Sequence, residues 1–234
     1  MKIKKDKKGR IEILDGLRGL AVIFMVAYHF LYDAVNFLGV PDKYINNTVA
    51  DVVQIVTAST FVVLCGISSR FSKSNIKRGI ETLVIAVIIS VVTFIIDMPI
   101  IFGILHLLGV CMLLYGLLKR YIDKVPAWII LAAGVVLSVL SKIAVDTINP
   151  DVGYLWILGF PEKGFVSYDY FPLLPWLFVF LTGTAIGYYI KEQKFPRQFY
   201  TLKVPVLSAI GRYSLIIYVV HQPLLYLIMM ILNA

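Results

Sequence analysis

Residues 12–37 read EILDGLRGLAVIFMVAYHFLYDAVNF. A basic segment from Lys2 to Arg10 precedes them, as in the n-region of a signal peptide. The apolar stretch is too long for a signal-peptide core, and no small-residue cleavage site follows it. A bilayer core takes about 20 helical residues, so the stretch predicts a retained membrane-crossing helix. Six further apolar runs follow, at about 50–70, 80–101, 103–119, 126–145, 170–190 and 209–232. The expected fold is therefore all-α, a polytopic integral membrane bundle of about seven transmembrane helices. One domain is expected over 1–234, with a basic tail at 1–11 and an outer loop at 146–169.

Composition points the same way. Of 234 residues, 59% are hydrophobic and 15% charged, against about 25% charged in ordinary soluble domains. A soluble enzyme of this length could not hide that much apolar surface. Disorder is excluded too, because it requires low hydrophobicity and high charge. Cys65 and Cys111 fall inside apolar runs and read as small packing residues. They form neither a disulfide framework nor a zinc spacing.

The net charge of +8 does not imply nucleic acid, because the basic residues cluster in short loops. Lys2, Lys4, Lys5, Lys7, Lys8 and Arg10 sit in the tail. Arg70, Lys73, Lys77 and Arg78 sit in the second loop, Lys119, Arg120 and Lys124 in the fourth, and Lys191, Lys194, Arg197 and Lys203 in the sixth. With seven crossings and a cytoplasmic N-terminus, all of these face the cytoplasm, and the C-terminus lies outside. Lys43, Lys142 and Lys163 are the exceptions. The outer loop carries turn signals at Asn149-Pro-Asp-Val-Gly153 and Gly159-Phe-Pro-Glu-Lys-Gly164. Tyr154, Trp156, Tyr168 and Tyr170 fit an interfacial aromatic belt. Asn46-Asn47-Thr48 resembles a glycosylation sequon by chance.

Polar residues within the first run carry the chemistry. Arg18 and His29 are eleven residues apart, close to three helical turns, so they share one face about 16 Å apart. Asp15, Tyr32 and Asp33 lie on the same stripe. Charged groups in lipid are costly and mark functional positions. A His four residues before an Asp suggests an imidazole oriented by a carboxylate, the arrangement of a general base. The competing reading is a His hydrogen-bonded at a helix interface.

Leu14-Asp-Gly-Leu-Arg-Gly-Leu-Ala21 followed by His29 resembles the opening of the R-x10-H membrane acyltransferases. Four further stretches resemble the small bacterial relatives of heparan-alpha-glucosaminide N-acetyltransferase. These are Phe61-Val-Val-Leu-Cys-Gly-Ile-Ser-Ser69, Phe102-Gly-Ile-Leu-His-Leu-Leu-Gly109, Asp169-Tyr-Phe-Pro-Leu-Leu-Pro-Trp176, and Ile210-Gly-Arg-Tyr-Ser-Leu continuing to His221-Gln-Pro223. The resemblance implies transfer of an acyl group from an acyl-CoA, usually acetyl-CoA. The donor would enter from the cytoplasm. The acceptor, often a sugar or glycan, would wait outside. It makes His29 the counterpart of the catalytic histidine and Arg18 the signature arginine; Asp33, behind His29, is the catalytic partner that the spacing suggests.

Other candidates follow. Arg70, Arg78 and Arg212 lie at cytoplasmic helix ends, where arginine binds phosphates of the kind CoA carries; the positive-inside rule also accounts for them. His106 and Asp169 lie toward the outer side, where an acceptor would bind, and Trp176 stands with Asp169 at the start of the sixth helix. His221, beside Gln222 and Pro223, gives a polar kink that would line a cavity. Gly183 and Gly187 suggest close helix packing. No G-x-S-x-G, H-E-x-x-H or P-loop signature is present. A proton-coupled transporter or permease is the rival class, since a His with two Asp in a membrane helix also suits a proton path. A non-catalytic membrane module is the third.

Overall fold

The computed structural model describes residues 10–148 and 153–233. The lysines of the N-terminal tail and the turn at 149–152 lie outside the described residues. Seven helices are long and apolar enough to cross a membrane: α1 (Glu12–Leu38), α2 (Thr48–Phe71), α3 (Asn75–Ile95), α4 (Ile104–Ile122), α5 (Ala127–Thr147), α6 (Leu173–Lys191) and α9 (Ser214–Leu232). Two short helices, α7 (Arg197–Thr201) and α8 (Pro205–Arg212), stand before the last. Among the described residues there is no strand, only an isolated bridge between Phe102 and Tyr170. The chain is an all-α, multi-pass membrane protein.

The helices follow the expected runs closely except at both ends of the third and at the start of the seventh. The third begins at Asn75 rather than 80, because Ser74 caps it, accepting a hydrogen bond from the Lys77 N–H at 3.2 Å. It stops at Ile95 rather than 101, and Asp97 turns the chain with φ +57°. The seventh run divides: α8 ends at Arg212, and α9 starts at Ser214 and continues through Pro223.

Packing separates the chain into two compact units, residues 1–61 with 195–234 and residues 62–194. In the first, α1 packs on α8 and α9. Two glycines set the α1–α8 approach. A Cβ at Gly19 would run into the Leu207 carbonyl, and one at Gly211 into the Asp15 carbonyl. Backbones meet directly there, which suits helices in lipid, where dispersion rather than hydrophobicity drives association. Glu12 ties the same end, accepting from Lys203 Nζ at 3.0 Å and from the Val204 N–H at 3.2 Å.

In the second unit α3 packs on α4 and α5 on α6. Gly183 and Gly187 of α6 lie against Val63 and Ile67 of α2, the close packing their spacing suggests. Cys111 is buried, and neither Cys65 nor Cys111 forms a disulfide.

Replacing Gly19 by Leu forces α1 off α8. Overpacking of this kind costs about 1–3 kcal/mol, or more where backbone must move. The variant is expected to unfold at lower temperature in detergent than Leu20→Val, a change at an exposed position of the same turn. Equal melting temperatures for the two would refute the backbone contact.

Candidate active site

The polar residues of α1 and α9 meet in the first unit. His29 Nδ1 lies 2.8 Å from the Met25 carbonyl, one turn back on its own helix. His221 Nδ1 lies 2.6 Å from the Tyr218 carbonyl. A carbonyl only accepts, so each Nδ1 carries the proton of the neutral ring and each Nε2 presents a lone pair. The rings stand edge to face, centroids 4.9 Å apart and planes at 79°. Tyr28 lies edge-on to His29 at 5.9 Å, and Tyr218 is tilted against His221 at 5.6 Å.

Asp33 is 2% exposed. Its two oxygens accept from Gln222 Nε2 at 3.2 and 3.0 Å. The structure thus divides the expected His29–Asp33 pair. The carboxylate is held across the helix interface by Gln222, and the tautomer of His29 is set by the Met25 carbonyl. A carboxylate only accepts, which fixes the Gln222 amide with nitrogen toward Asp33 and leaves its oxygen turned away. That Oε1 is buried without a hydrogen-bond partner, and so is His221 Nε2. His221 itself is 8% exposed. A buried polar atom without a partner costs about 1–3 kcal/mol. Both of these atoms are acceptors, so the group that completes them is a donor.

The remaining candidates lie elsewhere. Arg18 donates to Asp15 at 2.7 Å, about three turns from His29 along α1. Arg212 folds back on Ser208, with Nε 3.2 Å from its carbonyl and Nη2 3.1 Å from its hydroxyl. Arg70, in the second unit, is 8% exposed. It donates to the Thr184 carbonyl at 3.2 Å, pairs with Asp123, and lies over the rings of Tyr188 and Tyr115 at 5.4 and 6.0 Å. Arg78 stands half-buried on the first turn of α3.

His106 and Asp169 hold the start of α4. His106 Nδ1 accepts from the Gly103 N–H at 3.2 Å, so the proton sits on Nε2, 3.3 Å from Ser90 Oγ. Ser90 in turn donates to the Ile100 carbonyl at 2.5 Å. Asp169 Oδ2 accepts from the Ile104 N–H at 3.0 Å. His106 thus serves the N-terminus from within the helix, and Asp169 caps it from 65 residues away. A carboxylate also complements the positive end of the helix dipole. Trp176 packs tilted against Phe171 at 5.2 Å. The contacts of His106 and Asp169 are those of a latch between the α3–α4 turn and the segment before α6. The Phe171 N–H to Phe102 carbonyl bond at 2.8 Å reinforces that latch. In the sequence Gln222 is legible only as part of the polar kink beside His221, and nothing local signals Asp123 or the latch, because both depend on partners distant in the chain.

The sequence family described as heparan-alpha-glucosaminide N-acetyltransferase, catalytic, matches residues 10–223. The chain belongs to this family. Membership makes it a membrane acetyltransferase in the general sense. The matched range includes α1, with His29 and Asp33, and ends at Pro223, just past His221 and Gln222. No match was found among curated proteins or among solved structures.

Two measurements probe the latch. Asp169→Ala removes a helix cap, worth about 0.5–2 kcal/mol. Proteolysis of the segment before α6 is expected to accelerate in that variant, and an unchanged rate would exclude the cap. Tyr170, just outside α6, donates to the Trp156 carbonyl at 2.5 Å, and burial pushes its hydroxyl up to about 12. A raised folded-state value means that its contribution is complete below the ordinary tyrosine value and is lost as pH rises through about 12. The tyrosinate absorbance of the wild type minus that of Tyr170→Phe should show its step near that pH. A step near the ordinary tyrosine value would contradict the burial.

Proposed function

We propose that the protein moves an acetyl or other acyl group from cytoplasmic acyl-CoA to a hydroxyl or amine at the outer face of the cell membrane. The acceptor is a sugar or glycan. The observation that carries this reading is the pair of imidazoles in the α1–α9 interface, each with its Nδ1 proton spent on a carbonyl and its Nε2 a lone pair. A base in that state can take a proton from an attacking hydroxyl or amine. The missing donor at His221 Nε2 and Gln222 Oε1 is a group the acceptor brings.

In this reading His29 is the catalytic residue. As the acceptor's oxygen or nitrogen attacks the thioester carbonyl, His29 Nε2 takes its proton. The C–S bond then breaks, and the proton passes to the departing CoA sulfur. Acyl transfer through His29 itself would replace this step by two: Nε2 attacks the thioester carbonyl and the C–S bond breaks to expel the CoA thiolate, and the acceptor then displaces the imidazole from the acyl group, its proton passing to the thiolate. Asp33 keeps Gln222, and with it the α9 backbone, in register with α1. His221 binds the acceptor, with Trp176 as a further contact, while the polar atoms of His106 and Asp169 are engaged by the α4 latch. Arg18, Arg78, Arg212 and Arg70 belong to the donor's side, where the basic loops face the cytoplasm.

A buried carboxylate beside two imidazoles also suits proton movement, so a proton-coupled permease is the second reading. The two part on their ligands: an acyltransferase is stabilised by CoA thioesters by mass action, and a permease is indifferent to them.

Purified protein in nanodiscs should release CoA from acetyl-CoA even without the acceptor. His29→Ala and His29→Asn are expected to slow release by about 10²–10⁴-fold, the usual worth of a general base, with membrane insertion and melting temperature retained. His221→Gln should raise the acceptor's KM more than it lowers background hydrolysis. Release that ignores His29 would remove it as the catalytic residue, and no release together with no thermal shift by acetyl-CoA would transfer the assignment to the permease.

A further inference from the structure

A cavity of about 370 Å³ lies in the second unit, at the ends of α2, α4 and α6 and the turn into α5. Arg70, Lys119, Asp123, Lys124, Tyr188 and Lys191 supply most of its polar wall, and Glu192 closes the rim. Arg70 and Asp123 neutralise each other. Lys119, Lys124 and Lys191 have no ion-pair partner among the described residues, so three unneutralised cations face one carboxylate, Glu192. The positive-inside rule puts lysines at such helix ends, but it does not require them to converge on a concave site. Nor does it explain why the deepest cation is fixed by the Thr184 carbonyl and two tyrosine rings. A rigid guanidinium surrounded by mobile ammonium groups is suited to a compact anion carrying more than one negative charge.

We infer that this cavity binds a phosphate group. A phosphate monoester brings about −1.5 to −2 charge and three acceptor oxygens, which matches the three lysines. Two sources share that chemistry: the phosphorylated nucleotide end of a CoA thioester, and the headgroup of an anionic phospholipid. The long, flexible side chains of these lysines can reach either. With CoA as source the inference rests on the acyl-transfer reading; with lipid as source it stands apart from it.

The test compares wild type with the Lys119→Gln/Lys124→Gln/Lys191→Gln variant in uncharged detergent. Lys73→Gln/Lys77→Gln/Lys142→Gln serves as a charge-matched control outside the cavity. Calorimetry with adenosine 3′,5′-bisphosphate and with inorganic pyrophosphate tests the nucleotide source. Native mass spectrometry after reconstitution in phosphatidylglycerol or phosphatidylcholine tests the lipid source. Binding of the bisphosphate that weakens about tenfold or more (~1.4 kcal/mol) in the cavity variant, but not in the control, supports a nucleotide phosphate. Retention of phosphatidylglycerol by the wild type and the control, and not by the cavity variant, supports a lipid headgroup. Loss of binding to the same degree in both triple variants would reduce the effect to general charge and overturn the site. So would absence of binding to all the probes. All these readouts are independent of turnover, so failed CoA release with intact bisphosphate binding would overturn the acyl-transfer reading and leave the phosphate site standing.

Discussion

Lipid offers no hydrogen bonds, so each polar atom carried into the hydrocarbon layer must find its partner in the protein. Most polar side chains here meet that constraint locally. Thr60, Ser69, Ser141 and Thr182 donate to carbonyls one turn back on their own helices. Asp33 cannot do so, because a carboxylate only accepts, and it recruits Gln222 from another helix. That cross-helix contact sets the register of α1 against α9, and the edge-to-face contact of Phe37 with Tyr226 at 5.4 Å carries the same interface one turn further. Gln222 Oε1 is left unpaired as a consequence of satisfying Asp33, and His221 Nε2 because its Nδ1 proton goes to the Tyr218 carbonyl.

The α1–α8 contact makes that arrangement stiff. Glycines at 19 and 211 let two backbones touch, so α1 is held near Arg18 by α8 and near His29 by α9. A helix clamped at two levels presents its side chains with little freedom. Fixed geometry is what acid–base chemistry needs, since proton transfer is confined to hydrogen-bond distance. The same glycines have no polar atom to offer a substrate, and their role is confined to bringing the helices together.

The fold was legible because hydrophobic length is a local property. Each span needs only its own residues to be recognised, and the seven runs anticipate the seven helices. Where the reading slipped, hydropathy had hidden a backbone event: the Ser74 cap, the positive φ at Asp97, and the break at Arg212–Tyr213 all lie within or beside apolar sequence. The site was legible as a face but not as a network. Spacing rightly put His29 and Asp33 on one stripe, yet the carbonyl of Met25 lies on that stripe too and competes for the same Nδ1 proton. Arg70 with Asp123, and Asp169 with the start of α4, join residues far apart in the chain, and no local pattern encodes such pairs.

The charges are divided in the same way. In the cluster of α1 and α9 the Nδ1 of each imidazole faces a backbone carbonyl, and the proposed acid–base chemistry gains from exclusion of water. The cavity of the second unit works with full cations near helix ends, where long stems let ammonium groups reach an anion while staying hydrated. Neither job can be done well in the other's setting. Three lysines beside the imidazoles would disfavour a proton on either ring, and an uncharged cavity would not hold a phosphate. The family match extends across the sequences of both units, and the proposed transfer from a phosphorylated carrier to a neutral acceptor would call for both kinds of site in one chain.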